Sequence, residues 1–552
     1  MSGAGLRVIN IKNFKAFKAF HLNLESRNLL IYGGNGSGKS SLYWALYTFL
    51  ESAGKPTVEV QKYFDPGNNQ ALVNIHVPPP ENESAYIKLT LKEGSLEETF
   101  EISRSVHQTA NKPIIAKAAL ASDFITYRFF FKFGDFRNSQ DFDIWDLFKR
   151  EMLPFCHTTS GIDLHGEWKF IESNLPHELG LHGGAITKAN KEFIDRLKRF
   201  NAELEGVTGA IEDKAREFYA EHFSDPSVPI EIALKITTPA SYDPITKTIS
   251  IPKLQLGVRA AGAVISRPQV FLNEAKLTQI AISIRLAASL VNLHESSIKL
   301  LVLDDLLVSF DLNNRMKVVD ILLTNAFDNY QKIILTHDLG FYREFRRKIG
   351  LDHTKWVFSR LSGDPVTGIS QQEVKREIDK AEDYIRNHDL EEAASCLRKA
   401  AEDTAIQYRE LQEGKRITGE KFVSLTQHLN KAKNVIKARI PDDLFEKVLS
   451  DLSPELLPKL IAYDDSDIDS DSDLSDATKS LLKVKREEMR RFLSSNGWRD
   501  YQDLAILDRI LEMTERVLNP ASHWGDPALY QAEVKKAHSL IDRLENRLRP
   551  TS

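Results

Sequence analysis

Cysteine is almost missing from this chain, with only Cys156 and Cys396 in 552 residues. Two thiols so far apart have no metal-ligand spacing and form no disulfide framework, which suits a reducing cytoplasm. Long apolar runs are missing as well. No stretch approaches the ~18 residues of a membrane-spanning helix, and Met1–Asn10 lacks the apolar core of a signal peptide. An excess of basic charge is also absent. Lys and Arg number 73 against 78 Asp and Glu, a net of −5, so contact with nucleic acid would need a local patch rather than a global field. What is left is a soluble composition, at a length that accommodates two or three domains.

Against these absences, glycine is concentrated in one place. Leu6–Phe14 reads as a strand with His21–Leu24 as its short partner, and Asn28–Tyr32 is an apolar run that stops at Gly33. From Ser40 onward Leu42, Ala45, Leu46 and Phe49 recur at helical spacing. Between strand and helix, Gly33-Gly-Asn-Gly-Ser-Gly-Lys-Ser40 matches the phosphate-binding loop G-x-x-x-x-G-K-[ST] in full. Such a loop turns its N–H groups inward around phosphates, and the helix that follows adds its positive end. The expected ATP contacts are therefore Gly33, Gly34, Asn35, Gly36, Ser37, Gly38, Lys39, Ser40 and Ser41. Lys39 would neutralise β- and γ-phosphate charge, and the Ser40 hydroxyl would ligate Mg²⁺.

Leu300-Leu-Val-Leu-Asp304-Asp305 is a buried strand that ends in two carboxylates. Asp304 is the candidate magnesium ligand. Asp305 is the candidate group that orients or deprotonates the attacking water. Ser309-Phe-Asp311 follows at the distance of a D-loop, and Ile333–Thr336 is a second apolar strand ending at His337, a candidate γ-phosphate sensor. About 25 residues before Asp304, Leu272-Asn-Glu-Ala-Lys276 opens a helix that continues to Leu286. Asn273 can cap that helix and donate to a phosphate. Glu274 is unfavourable near a phosphate, and Ala275 is less permissive than glycine.

Taken together, Gly33–Ser40, Leu272–Lys276, Asp304–Asp305, Ser309–Asp311 and His337 resemble the motif set of a RecF/SMC-type ABC ATPase. The resemblance covers roughly residues 1–360. It implies an α/β head with a mixed sheet, partly antiparallel, and a short helical arm inserted between the motifs. It also implies that two copies close around two ATPs, with Asn273 and Glu274 of one copy meeting the γ-phosphate held by the other. Three departures stand out: Asp305 stands where Glu is usual, the signature Leu272–Ala275 lacks glycines, and only Gln108 offers itself as a Q-loop glutamine. The phrases Leu-Asn-Glu-Ala-Lys and Leu-Asp-Asp-Leu-Leu-Val-Ser-Phe-Asp further resemble bacterial anti-phage ATPases, the PtuA type of Septu and some retron systems. That likeness implies an HNH-type nuclease partner, and in retrons a reverse transcriptase with its multicopy single-stranded DNA. A RecF-like repair ATPase acting directly on DNA is the competing reading.

The remaining chain divides by pattern. Residues 1–140 read as the first lobe of the head, including β alternation over 71–102. Residues 141–225 read as the helical arm, with Phe193, Leu197, Phe200, Leu204, Val207 and Ile211 forming a heptad seam. Residues 226–362 return to strands and complete the head. Residues 370–552 read as a mostly α-helical domain, interrupted at 464–476 by an acidic tract whose self-repulsion predicts a disordered loop. Arg516 and His523 have the spacing of a HEPN-type ribonuclease pair, but Pro520 breaks the helix between them. A scaffold that docks a partner is the preferred reading of this domain. The basic stretches Arg343–Lys348 and Lys483–Arg491 are expected to be solvated faces.

Overall fold

The computed structural model describes residues 4–127, 129–130, 133, 136–137, 139–156, 158, 163–176, 181–182, 185–225, 229–260, 263–291, 295–305, 312–414, 423–440, 453, 455–456, 459–460, 463–492, 494–519 and 529–548. It divides into two compact units, Met1–Val374 and Lys375–Ser552. Among the described residues no helix is long and apolar enough to cross a membrane.

The first unit starts with β1 (Gly5–Phe14), β2 (Phe17–Asn23), β3 (Asn28–Gly33) and helix α1 (Lys39–Glu51). β4 (Tyr86–Glu93), β5 (Leu96–Ser103) and β6 (Asp123–Thr126) follow. A short hairpin, β7 (Leu181–His182) with β8 (Ala185–Ile186), precedes the long helix α2 (Lys188–Phe218). Next come β9 (Glu231–Thr238), the hairpin β10 (Ser241–Asp243) with β11 (Thr248–Ser250), β12 (Lys253–Ala260) and β13 (Ala263–Ile265). Helix α3 (Glu274–Val291), β14 (Leu300–Asp304), β15 (Gln331–Thr336), α4 (Leu339–Ile349), β16 (Trp356–Asp364) and β17 (Gly368–Glu373) follow in turn.

The central sheet runs β17-β16-β3-β15-β14-β6, parallel except for the edge strand β17. A second, antiparallel sheet runs β2-β1-β4-β5. Side chains alternate across a strand, so a sheet covered on both faces needs apolar residues at every position. Leu29, Ile31, Leu300, Val302, Ile333 and Leu335 enter the core shared with α1 and the antiparallel sheet. Their neighbours Leu30, Leu301, Leu303 and Ile334 enter the core on the opposite face. This is the α/β architecture with a mixed, partly antiparallel fold that the sequence implied.

Two boundaries differ from the sequence reading. Ser362-Gly-Asp-Pro365 is a hairpin turn inside the head, not its end. Gly363 and Gly368 adopt φ of 95° and 111°, and Asp364 Oδ1 accepts the N–H groups of Val366 and Thr367 at 2.7 and 2.8 Å. The chain then returns as β17, so residues 370–373 are strand rather than the start of the helical domain. The heptad seam, for its part, belongs to the core and not to an arm. Phe193, Leu197, Phe200, Leu204, Val207 and Ile211 all lie buried in the same cluster as α3 and β9. A seam of this spacing needs only an apolar partner surface, and here α3 and β9 provide it.

The second unit is helical, as expected: α5 (Glu377–Arg386), α6 (Leu390–Glu413), α7 (Leu425–Lys437), α8 (Asp465–Ser470), α9 (Asp476–Phe492), α10 (Ser494–Met513) and α11 (Gln531–Arg547). Ala393, Leu397, Ala400 and Ala401 of α6 lie in its main core with Leu429, Leu507 and Leu540. The acidic tract, read as a disordered loop, is ordered instead. Asp464 caps α8 through a reciprocal capping box with Asp467. Ile468 anchors the helix in a small cluster with Leu460, Leu482 and Tyr501. The self-repulsion is relieved by cations distant in sequence: Arg486 to Asp465 at 2.9 Å, Arg509 to Asp467 at 2.8 Å, Arg543 to Asp464 at 2.8 Å, Lys459 to Asp471 at 2.9 Å and Lys483 to Asp469 at 2.6 Å.

Candidate functional site

The glycine loop lies where β3 leaves the sheet and α1 begins. Gly38 sits at φ 91°, and a Cβ there would come within 2.7 Å of Ile369 Cδ1 and 2.9 Å of Phe17 Cε1. Only glycine avoids both the left-handed strain and the collision. Gly33 is similarly confined, since a Cβ would meet Ser37 Oγ at 2.2 Å. Gly34, Asn35, Gly36 and Ser40 are exposed, whereas Ser37, Lys39 and Ser41 are buried. The first turn of α1 holds no acidic residue, and no side chain caps it. The Ser37 hydroxyl has no hydrogen-bond partner among the described residues. An uncapped helix start with exposed backbone ahead of it fits the triphosphate of a nucleotide.

Lys39 Nζ donates to the carbonyls of Gly33 and Gly34 at 2.7 and 3.1 Å and lies 3.7 Å from Asp305 Oδ2. The sheet register explains the last distance. Asp304 pairs with Leu335 on β15, and Leu335 pairs with Ile31 on β3, so the ends of β14, β15 and β3 meet at one edge. Asp304 is buried there. Asp305 turns out of the strand at φ 49° while its N–H donates to Leu335 O at 3.0 Å. Its Oδ1 accepts the His337 backbone N–H at 2.8 Å and contacts His337 Nδ1 at 2.8 Å. A carboxylate only accepts, so Nδ1 carries the proton and a neutral ring keeps Nε2 as its acceptor. Asp305 thus joins Lys39 to His337. The next residue, Asp338, caps α4 and pairs with Arg315; burial works to raise its carboxyl, but the Phe341 N–H and Arg315 hold it below the ordinary range.

Asn273 caps α3, its Oδ1 accepting the Lys276 N–H at 2.9 Å, while Glu274 is exposed at the first helical position. Farther along the same helix, Arg285 forms a buried two-pronged pair with Asp123 of β6 at 2.5 and 2.6 Å. Ser289 Oγ donates to the same carboxylate at 2.6 Å, and Tyr330 OH donates to Ser289 O at 2.6 Å. Burial in this neighbourhood pushes the Cys156 thiol up to about 12. Sequence spacing gives no signal for the Arg285–Asp123 pair, because its members are 162 positions apart.

Gln108 lies elsewhere. Its Oε1 accepts the Glu101 N–H at 2.8 Å in the turn after β5, on the antiparallel sheet. The strand whose end lies beside Asp304 is β6, where Thr126 is the register partner of Asp304, and Tyr127 comes next. The turn between β1 and β2 was also missed. Ala16 N–H donates to Ser41 Oγ at 3.2 Å, and Lys15 Nζ stands 5.7 Å from the Trp44 ring. Burial lowers the Lys15 ammonium. Ser309, Phe310 and Asp311 fall outside the described residues, as do Pro520 and His523. Arg516 is paired with Glu533 at 3.0 Å. In the basic stretches Arg343, Arg490 and Arg491 are exposed as expected, but Arg347 pairs with Glu344, Lys348 with Asp320 and Lys485 with Glu488, and Arg486 is buried against Asp465, so these stretches are only partly solvated faces. Among the described residues no cluster of His, Cys, Asp and Glu could hold a metal ion by itself.

The family model described as "RecF/RecN/SMC N terminal domain" matches residues 5–359. No curated protein matches the chain. Among solved structures, the SmcHead bound to the C-winged helix domain of ScpA is similar at 15% identity and a TM-score of 0.38, covering 68% of this chain and 99% of that one. The recombination mediator RecF with ATP, from the RecFOR pathway, is similar at 13% identity and 0.41, covering 68% and 98%. The SMC head domain from Thermotoga maritima is similar at 14% identity and 0.31, covering 67% and 99%.

Proposed function

The chain belongs to the RecF/RecN/SMC N-terminal domain family of ATP-binding ATPases, and on that footing we propose that it is a slow, ATP-driven dimerising switch. The observation that supports this most directly is the junction at Asp305, which ties the loop lysine to His337 at the edge where β3, β14 and β15 end. In this reading Lys39 gives up the carbonyls of Gly33 and Gly34 for the phosphates of ATP. Ser40 and Asp304 hold Mg²⁺, which supplies charge neutralisation along the phosphate chain. Asp305 orients the attacking water through Oδ2, while His337 occupies Oδ1 and fixes the carboxylate plane. The start of α3, capped by Asn273, meets the γ-phosphate bound by a second copy. A side chain one methylene shorter than Glu, together with a signature lacking glycine, favours holding ATP over rapid turnover.

The output of the switch is control of a cytoplasmic effector nuclease in anti-phage defence. The partner is of the HNH type, joined in a retron setting by a reverse transcriptase and its multicopy single-stranded DNA. The sequence phrases at Leu272–Lys276 and Leu303–Asp311, together with a helical second unit, support this reading. ATP titration and sedimentation of the full chain test the first part. Lys39→Ala should weaken ATP binding by about 100-fold. Asp305→Asn should keep binding, lose hydrolysis and accumulate dimer. Equal ATP affinity in wild type and Lys39→Ala, or turnover of many ATP per second, would overturn it. Affinity capture from infected cells tests the second part. A nuclease co-purifying in an ATP-dependent manner is the expected result, and tight DNA binding by the chain with no nuclease attached would favour direct action on DNA instead.

A further inference from the structure

Three helices of the second unit send arginines to one open cleft of about 340 Å³. Arg486 comes from α9, Arg509 from α10, and Arg543 and Arg547 from α11, with Tyr463 and Tyr501 on the same walls. Arg486 and Arg509 are each only 8% exposed, so the cost of removing them from water is already met in the fold. Arg547 pairs with Asp503 of α10 at 2.9 Å, whereas Arg486, Arg509 and Arg543 each meet a carboxylate of one short segment. Asp467 Oδ2 accepts from Arg509 at 2.8 Å, from Arg543 at 3.5 Å and from the Asp464 N–H at 3.1 Å. Asp464 holds Arg543 at 2.8 Å, and Asp465 holds Arg486 at 2.9 Å. The Tyr501 side chain is 4% exposed, and its hydroxyl has no hydrogen-bond partner among the described residues.

We propose that this cleft is a binding site for the phosphate of a nucleotide, and that the acidic segment 464–467 is its built-in competitor. A phosphate carries more charge and more acceptor oxygens than a carboxylate, and it matches several guanidiniums at once. The partly exposed ring of Tyr463 offers an apolar edge beside the arginines. The segment to be displaced is short and is held by ion pairs and a cap rather than by a broad apolar face. α8 has six residues, too few to be stable alone, and its buried residue is Ile468. Once released, its closely spaced aspartates repel one another, which opposes re-closure. The site rests on the second unit alone and stands or falls independently of the ATP site in the first.

A free nucleotide and the end of a strand carry the same phosphate chemistry, and the test separates the two. The full chain carrying Lys39→Ala, so that the glycine loop takes up no probe, is titrated with a fluorescent 5′-phosphorylated deoxyhexanucleotide. The same strand with a 5′-hydroxyl is a second probe, and AMP serves as competitor. The phosphorylated strand should bind more tightly than the hydroxyl strand. Adding Asp464→Asn and Asp467→Asn, which keeps an amide able to cap α8, should tighten binding roughly tenfold. Arg509→Ala with Arg543→Ala should weaken it roughly tenfold or more. Competition by AMP assigns the site to a free nucleotide, and its failure assigns it to a strand end. A gain confined to the phosphorylated strand separates phosphate recognition from the added positive charge, so an Asn variant that binds that strand no better than its parent, or indifference to the 5′-phosphate, overturns the proposal.

Discussion

β14 in the first unit is five residues long and buried at every position, with carboxylates at its final residue and the one after. The acidic segment of the second unit is of similar length but has one buried apolar side chain, and it is fixed by cations from α9, α10 and α11. The first is held by what it excludes from water, the second by what it is paired with. A site built at the end of a buried strand inherits the rigidity of the sheet. A segment held by ion pairs is matched by charge rather than by shape.

The contrast is most severely tested at Arg285, whose ion pair with Asp123 is as deep as the strands of the first unit. Arg285→Ala should cost about 3–5 kcal/mol, because it strands the Asp123 carboxylate in the core. Denaturant unfolding of the full chain should show the loss in the transition of the first unit. A loss under 1 kcal/mol would mean that the pair is hydrated and the contrast false. Next in size is Lys332, a lysine in the buried strand β15 whose ammonium is pushed down to about 8 by burial and donates to Phe327 O at 2.8 Å. Its folded value lies below that of the unfolded chain. Between the two the unfolded state holds the extra proton, so parent stability rises with pH across that window. Lys332→Met should therefore gain up to about 3 kcal/mol at pH 7, offset in part by the lost hydrogen bond, with the gap closing toward pH 10. A gap that widens with pH would contradict the sign. The smallest effect belongs to the second unit. Lys483→Ala, which removes an exposed pair with Asp469, should change stability by no more than about 1 kcal/mol and lose that effect in high salt.

The same contrast explains what could be read in advance. The glycine loop, the strand ending in Asp304 and Asp305, and the strand ending at His337 are local patterns, and parallel pairing of β3, β15 and β14 brings their C-terminal ends to one edge. Asn273 was legible as a cap for the same reason. The seam from Phe193 to Ile211 was legible as an apolar stripe, but its partner was not, since a period of 3.5 says nothing about what it faces. The acidic tract was misread because its cations Arg509 and Arg543 lie 42 and 76 positions from Asp467. Gln108 was chosen by residue type alone, whereas β6 could be placed beside Asp304 only through its pairing with β14.

The Arg285–Asp123 clamp has a mechanical consequence. Arg285 stands twelve residues beyond Asn273, about 18 Å along the helix axis at 1.5 Å per residue. That end of α3 can pivot about the clamp but cannot slide past it. A pull on Asn273 must therefore either bend the helix or turn it as a lever against β6, whose other end lies beside Asp304. Engagement at one tip of the helix would then be felt as torque at the edge that carries Asp304 and Asp305.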